Sequence, residues 1–208
     1  MGTVANWAVD MSVSPGGEAT LADNALVERY LAGSETAFET LVYRYQDRLV
    51  NYLNQIIQDY DRAVDLCQET FVRVYRNADR YEGKYQFSTW LYRIATNLAI
   101  DELRRRERKG RCFLHNVLGW VHPDRPTLVL PDTRQDPEQA FRQKERLHRL
   151  EQALAALDGK YRLPFLLKEV EGLSYEETAD VLGISSGTVK SRIHRAKLML
   201  RTRLKDQL

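Results

Sequence analysis

The chain has 208 residues, with 31 Lys+Arg against 29 Asp+Glu, and is 43% hydrophobic and 29% charged. That length suits one medium domain or two small ones, each able to bury a core, and the composition excludes a wholly disordered chain. Two cysteines, Cys67 and Cys112, exclude a disulfide-stapled secreted scaffold and fit a reducing, cytoplasmic setting. No stretch reaches the ~20 apolar residues of a membrane span. Asp10 and the lack of a basic start argue against a signal peptide, so no membrane insertion is expected.

The near-neutral total hides a segregation of charge. Arg104 to Arg111 holds six basic residues and one acid, and Ser185 to Leu208 holds seven basic residues and one acid. Acid collects at Asp59, Asp61, Asp65 and Glu69, and again at Glu169, Glu171, Glu176, Glu177 and Asp180. Basic clusters of this kind suit a polyanion, and the acidic ones a basic partner; a solvated helix face is the plain alternative for each.

Residues 1–22, with Ser12, Ser14, Pro15, Gly16 and Gly17, carry no sustained period and read as a mobile tail. From Phe38 the positions Leu41, Val42, Tyr45, Leu49, Tyr52, Leu53 and Ile56 step by three and four, predicting one long amphipathic helix. A second helix is expected after Asp61, with Val64, Cys67, Phe71 and Val74 on its stripe. A third is expected after the aromatic loop Arg80–Phe87, with Ser88 as N-cap and Leu91, Ile94, Ala95 and Leu98 buried. Between residues 110 and 135, Gly119, Pro123, Pro126 and Pro131 break any helix. This irregular linker nonetheless carries Phe113, Leu114, Val117, Leu118, Trp120 and Leu128, each worth ~1.5–3 kcal/mol if buried, so it is expected to lie against something. Helices resume at Asp136-Pro137, with Leu147, Leu150, Leu154 and Leu157 in register, and Pro164 either kinks the next helix or limits its start. No useful stretch alternates with period two. The fold class is all-α, in two small helical domains over residues 23–109 and 136–208.

The C-terminal part carries the sharper pattern. Ser174-Tyr175-Glu176-Glu177 is a capping box, Gly183 supplies a left-handed turn, and Ser185 or Ser186 caps a second helix. Helix, glycine turn and helix at this spacing predict a helix-turn-helix. On the second helix Val189, Ile193, Ala196 and Leu200 share the buried face. Thr188, Lys190, Ser191, Arg192, His194, Arg195 and Lys197 present a small, polar, basic surface that can enter a major groove. In the N-terminal part, Arg80, Tyr81, Lys84, Tyr85, Phe87, Trp90, Arg93 and Asn97 interleave cations, aromatics and one amide. Aromatic faces stack on unpaired bases while cations follow the backbone, although Phe87 and Trp90 suit a core equally well.

Phe87-Ser88-Thr89-Trp90-Leu91-Tyr92-Arg93-Ile94-Ala95-Thr96-Asn97, together with Asp65-Leu66-Cys67-Gln68-Glu69-Thr70-Phe71, resembles region 2 of bacterial RNA polymerase sigma factors of the extracytoplasmic-function (ECF) subfamily. Gly172-Leu173-Ser174-Tyr175-Glu176-Glu177 and Gly187-Thr188-Val189-Lys190-Ser191-Arg192 resemble region 4. The resemblance implies a noncatalytic, cofactor-free subunit that binds the clamp and flap of core RNA polymerase. It also implies two promoter contacts, a melted −10 element on region 2 and a duplex −35 element on region 4. It places Asp65, Gln68 and Glu69 at the clamp, the loop Arg80–Phe87 and Asn97 at a flipped base, and the recognition helix at the −35 element. It further implies an anti-sigma partner and a linker threaded through the polymerase.

Two other classes compete. A stand-alone, dimeric helix-turn-helix regulator accounts for residues 138–208 but leaves the aromatic loop and the acidic motif without a role. A recombinase would need a nucleophile with a positioned base, and no such constellation stands out. Cys112, His115 and His122 lack the fourth ligand or the Cys-x-x-Cys spacing that would mark a metal site, so no metal is expected.

Overall fold

The computed structural model describes residues 20–108 and 137–205. Within them lie eight α-helices and no strand: α1 (Asp23–Leu31), α2 (Glu35–Ile57), α3 (Tyr60–Arg76), α4 (Phe87–Arg108), α5 (Pro137–Ala155), α6 (Gly159–Phe165), α7 (Tyr175–Leu182) and α8 (Ser186–Lys205). The all-α expectation holds. The tail up to residue 19 and the linker, with Cys112, His115 and His122, lie outside the described residues.

Three local expectations need correction. Helix α1, which buries Leu26 and Val27, falls where no periodic run is long enough to announce it. Helix α3 starts at Tyr60, before Asp61 rather than after it, and is capped by Asp59, whose Oδ1 accepts from the Arg62 N–H at 3.1 Å. Helix α4 is already wound at Phe87, where the Trp90 N–H reaches the Gln86 carbonyl, so Ser88 sits inside the first turn and does not cap it.

Helix α2 is the axis of the first group. Its Tyr52 ring meets Tyr92 of α4 edge-on at 5.1 Å, and the Tyr52 hydroxyl hydrogen-bonds Thr96 at 2.7 Å, so both buried phenols have polar partners. At the far end of α4 a single buried carboxylate gathers three guanidinium groups. Glu102, its side chain 3% exposed, accepts from Arg62 at 3.2 Å, Arg105 at 3.0 Å and Arg106 at 2.9 Å. Arg106 also reaches Asp59 at 2.8 Å and the Ile57 carbonyl at 3.2 Å. Helices α2, α3 and α4 are thus tied at one corner. Burial alone would raise the Glu102 pKa, but the hydrogen bonds from Arg106 and Arg105 and the charge of Arg62 outweigh it and hold the carboxyl below the usual range.

In the second group Asp158 caps α6 on the Lys160 N–H at 3.0 Å. Pro164 neither limits the start of α6 nor ends it at once. The ladder loosens just beyond, into a π turn over Leu166–Val170, where the Glu171 N–H reaches back five residues to the Leu166 carbonyl. Gly172, at φ +83°, then turns the chain toward α7.

The two groups share one apolar cluster. Leu41, Leu53, Leu91 and Ala95 of the first belong to the same buried set as Leu154, Leu157, Leu166, Leu167 and Leu173 of the second. Helix α7 packs on α4, and α5 and α6 on α2.

The Glu102 corner gives a test. Because its folded-state pKa is depressed, its contribution is complete above the ordinary carboxylate value and is lost as pH falls through the lowered one. Glu102→Gln should cost about 1–3 kcal/mol at neutral pH. It should also flatten the loss of stability on the acid side, as read by urea melts across that pH range.

Candidate nucleic-acid interface

The helix-turn-helix is built as its residues predict. Ser174 Oγ accepts from the Glu177 N–H at 3.1 Å, and the Glu177 carboxylate accepts from the Ser174 N–H at 2.8 Å, completing the capping box. Gly183 takes φ +64°, where a side chain would be strained, and Ser185 caps α8 on the Thr188 N–H at 3.2 Å. Val189, Ile193, Ala196 and Leu200 are all buried.

Lys190, Ser191, His194, Arg195 and Lys197 are exposed along α8, with Thr188 and Arg192 at its flanks. Two of these cations have contacts within the chain. Lys190 lies 5.4 Å over the Tyr175 ring, and Lys197 pairs with Glu169 at 3.0 Å. His194 and Arg195 point from the same exposed side. The seven predicted residues therefore form one polar surface on one helix.

The N-terminal set divides. Arg80, Tyr81, Lys84, Tyr85, Trp90 and Arg93 line a shallow cleft of about 230 Å³, together with Glu82, Gly83, Thr89 and Asp180. The Tyr81 hydroxyl sits within hydrogen-bonding distance of both the Asn24 side chain of α1 and the Tyr85 carbonyl, and Lys84 lies over the Tyr85 ring, so the loop is held in shape by these contacts. Phe87 is different. It is 0% exposed, packed edge-on against Tyr45 and Tyr81, and belongs to the core; it offers no face to a base here. Asn97 is exposed one helical turn beyond Arg93 and does not line the cleft.

On α3, Asp65, Gln68 and Glu69 lie along one solvent-facing side, Asp65 with its side chain 61% exposed. Asp65 pairs with Arg62 at 3.3 Å and Glu69 with Arg73 at 2.8 Å. Both are surface pairs of small net value, which a stronger basic partner can displace.

Sequence reasoning missed a third set of polar residues, which joins the two helical groups. Glu171, its side chain 4% exposed, accepts from the Tyr92 hydroxyl and pairs with Arg48 at 3.4 Å. Arg48 also donates to the Glu171 carbonyl oxygen at 2.9 Å. Burial raises the Glu171 pKa, against the hydrogen bond from Tyr92 and the charge of Arg48. Nearby, Thr89 donates to Glu177 at 2.9 Å. At the other end of the contact Arg162, also buried, donates to the Ile56 carbonyl at 3.4 Å. The only sequence signal was the acidic run Glu169–Asp180, whose expected basic partner is in part this chain's own Arg48 and Lys197.

Both helical groups match known protein families. The family described as Sigma-70 region 2 matches residues 41–109, and Sigma-70, region 4 matches residues 147–200. Those two matches together define a bacterial sigma factor. The ECF RNA polymerase sigma factor SigW of Bacillus subtilis is 35% identical over 181 residues, 86% of this chain and 95% of the relative. The RNA polymerase sigma-H factor of Pseudomonas aeruginosa is 35% identical over 177 residues, 84% and 90% of the two chains. Among solved structures, CnrH in complex with the cytosolic domain of CnrY superposes at TM-score 0.64 with 24% identity, covering 90% of this chain and 100% of that one. The sigma factor RpoE in complex with the anti-sigma factor NepR from Bartonella quintana gives 0.62, also at 24% identity, covering 81% and 96%. The chain belongs to the ECF RNA polymerase sigma factors, which direct core polymerase to specific promoters and assist melting at initiation.

Substitutions on α8 can distinguish base reading from phosphate holding. Arg195→Ala should cost on the order of 1–3 kcal/mol and relax preference at one base position, as measured by competition binding across variant duplexes. Arg192→Ala, nearer the groove wall, should weaken all sequences alike and reduce the salt slope. Uniform loss for both would reduce the surface to phosphate contacts.

Proposed function

We propose that this sigma factor divides promoter recognition between its two helical groups, residues 23–109 and 136–208. Thr188, Lys190, Ser191, Arg192, His194, Arg195 and Lys197 of α8 enter the major groove of the −35 element. Arg80, Tyr81, Lys84, Tyr85, Trp90 and Arg93, with Asn97 one turn further along α4, hold the melted −10 strand. Asp65, Gln68 and Glu69 meet a basic surface on the polymerase clamp. The protein acts in the cytoplasm as a noncatalytic subunit; among the described residues no helix is long and apolar enough to cross a membrane. An anti-sigma protein, the class of partner named for the Bartonella quintana factor, is its expected antagonist.

The observation that carries this reading is the pairing, in one chain, of a capped helix-turn-helix with a cleft lined by three cations and three aromatics. A stand-alone regulator needs the first surface and has no use for the second. The direct test is reconstitution with core polymerase, recovery of bound genomic DNA by pull-down and sequencing, and transcription from the recovered promoters. Failure of the holoenzyme to select or transcribe any of them would overturn the proposal.

Reversing charge at both Asp65 and Glu69 should abolish co-purification with core polymerase while helix content by circular dichroism stays unchanged. Unimpaired co-purification would remove these residues from the clamp contact. For Asn97, an amide can both donate to and accept from the edge of one extruded base, and extrusion costs a few kcal/mol that such contacts offset. Asn97→Ala should therefore depress permanganate reactivity of unpaired thymines on duplex promoters and recover much of it on a pre-melted bubble. Equal opening of the duplex by mutant and wild type would place the base elsewhere.

A further inference from the structure

We propose that Asn24 of α1 is a positioning residue for the −10 strand. Its amide donates to the Tyr81 hydroxyl and so commits that hydroxyl to the Tyr85 carbonyl, which fixes the shape of the loop lining the cleft. The inference rests on the assignment of that cleft to melted DNA and concerns what gives the cleft its shape.

One proton has to serve two close contacts. The Tyr81 hydroxyl lies 2.7 Å from Asn24 Oδ1 and 2.5 Å from the Tyr85 carbonyl oxygen. A phenol has a single proton to give, and two oxygens 2.5 Å apart repel unless a proton lies between them. A backbone carbonyl can only accept, so the proton goes to Tyr85. The phenol oxygen is then an acceptor 2.7 Å from the Asn24 amide, where only an N–H fits. A half-turn of the amide puts Nδ2 in that place. Burial, with the charge of Asp23 added, raises the Tyr81 pKa and keeps the proton on the phenol. The result is a directed chain from the Asn24 N–H to the Tyr81 hydroxyl to the Tyr85 carbonyl. A carboxylate at the first position has no N–H to start it.

Both ends of this chain bear on the cleft. Asn24 is held in place by its surroundings: neighbouring Asp23 accepts from Arg44 and Tyr45 of α2, Arg44 also donates to the Leu21 carbonyl at 3.0 Å, and Leu26 and Val27 are buried. At the other end, among the described residues, no hydrogen bond between backbone groups closes residues 82–85, and Gly83 turns the chain there at φ +65°. The bond from Tyr81 to the Tyr85 carbonyl does that closing. It sets the peptide next to the exposed Tyr85 ring, with Lys84 over that ring, while the Tyr81 ring stays against Trp90 at 5.3 Å. Tyr81, Lys84, Tyr85 and Trp90 all line the cleft, and Asn24 does not. Asn24 therefore acts on a bound base through Tyr81 and not by touching it.

The test reads base preference, with holoenzyme reconstituted from the full chain. The probes are fluorescent single-stranded oligonucleotides copied from the −10 region of a promoter that the wild-type holoenzyme opens, and its single-base variants. Preference is the ratio of affinities for native and variant probes of equal length, in which any change of overall charge cancels. Asn24→Ala should shrink the wild-type preference about fivefold, the worth of one ordinary hydrogen bond, while co-purification with core polymerase and binding to duplex −35 DNA stay unchanged. Asn24→Asp keeps the shape and the acceptor but has no N–H, and should shrink the preference at least as much. This nearly isosteric variant keeps the experiment decisive where Asn24→Ala folds poorly. Tyr81→Phe should lose preference in the same way, and adding Asn24→Ala to it should change nothing further. Wild-type preference in Asn24→Asp, or additive losses in the double variant, would overturn the inference. Absence of any preference in the wild type would instead count against assigning the cleft to the −10 strand.

Discussion

One buried carboxylate sets how the two halves of this protein sit together. Glu171 belongs to the helix-turn-helix half, yet its partners lie 79 and 123 residues earlier in the chain. Desolvating a carboxylate is expensive, and the expense is met only when a cation and a hydroxyl converge on it. Those partners exist in one relative placement of the halves, so the ion acts as a register mark on an otherwise apolar contact. Leucines and alanines from both halves give area without direction; Glu171, Arg48 and Tyr92 give direction. The irregular backbone around it follows from the same need. A π turn after Pro164 and a left-handed glycine at Gly172 displace the chain enough to aim a side chain across the groove.

The distribution of charge makes sense in these terms. The acidic run Glu169–Asp180 is largely consumed inside the molecule, with Glu169 on Lys197, Glu171 on Arg48 and Glu177 in its own capping box. The basic run that opens at Arg104 is likewise partly consumed, by Asp101 and Glu102. By contrast Asp65 and Glu69 pair only with neighbours on their own helix, in exposed bridges of little strength. Counting charges along the chain therefore overstates some surfaces and understates the one on α3.

What could be read from the residues alone depended on the range of the interaction responsible. The capping box, the Gly183 turn and the Val189–Ile193–Ala196–Leu200 stripe are each closed within one or two helical turns, and each stands in the structure as its spacing implies. Boundaries were less legible. Asp59 and Asp61 are chemically equal candidates for a cap, and only the extended backbone at Asp59 separates them. Phe87 is ambiguous for another reason: an aromatic at the end of an aromatic, basic loop suits both a core and a stacking site, and burial decides for the core. The Glu171 contact was illegible in principle, because no local pattern pairs Arg48 with Glu171. Hydroxyl, guanidinium and carboxylate become one site only after the chain has folded.

The corner at Glu102 has a mechanical meaning. Through Arg62 and Arg106 it pins the start of α3 and the end of α2 to the distal end of α4. The face of α3 that carries Asp65, Gln68 and Glu69 therefore cannot swivel independently of the helix that carries Arg93 and Asn97. On the proposed assignment of the cleft to melted DNA, force applied at α4 would be carried through this corner to α3. Three guanidinium groups around one carboxylate join α2, α3 and α4 at a single point, so a change there reaches all three helices.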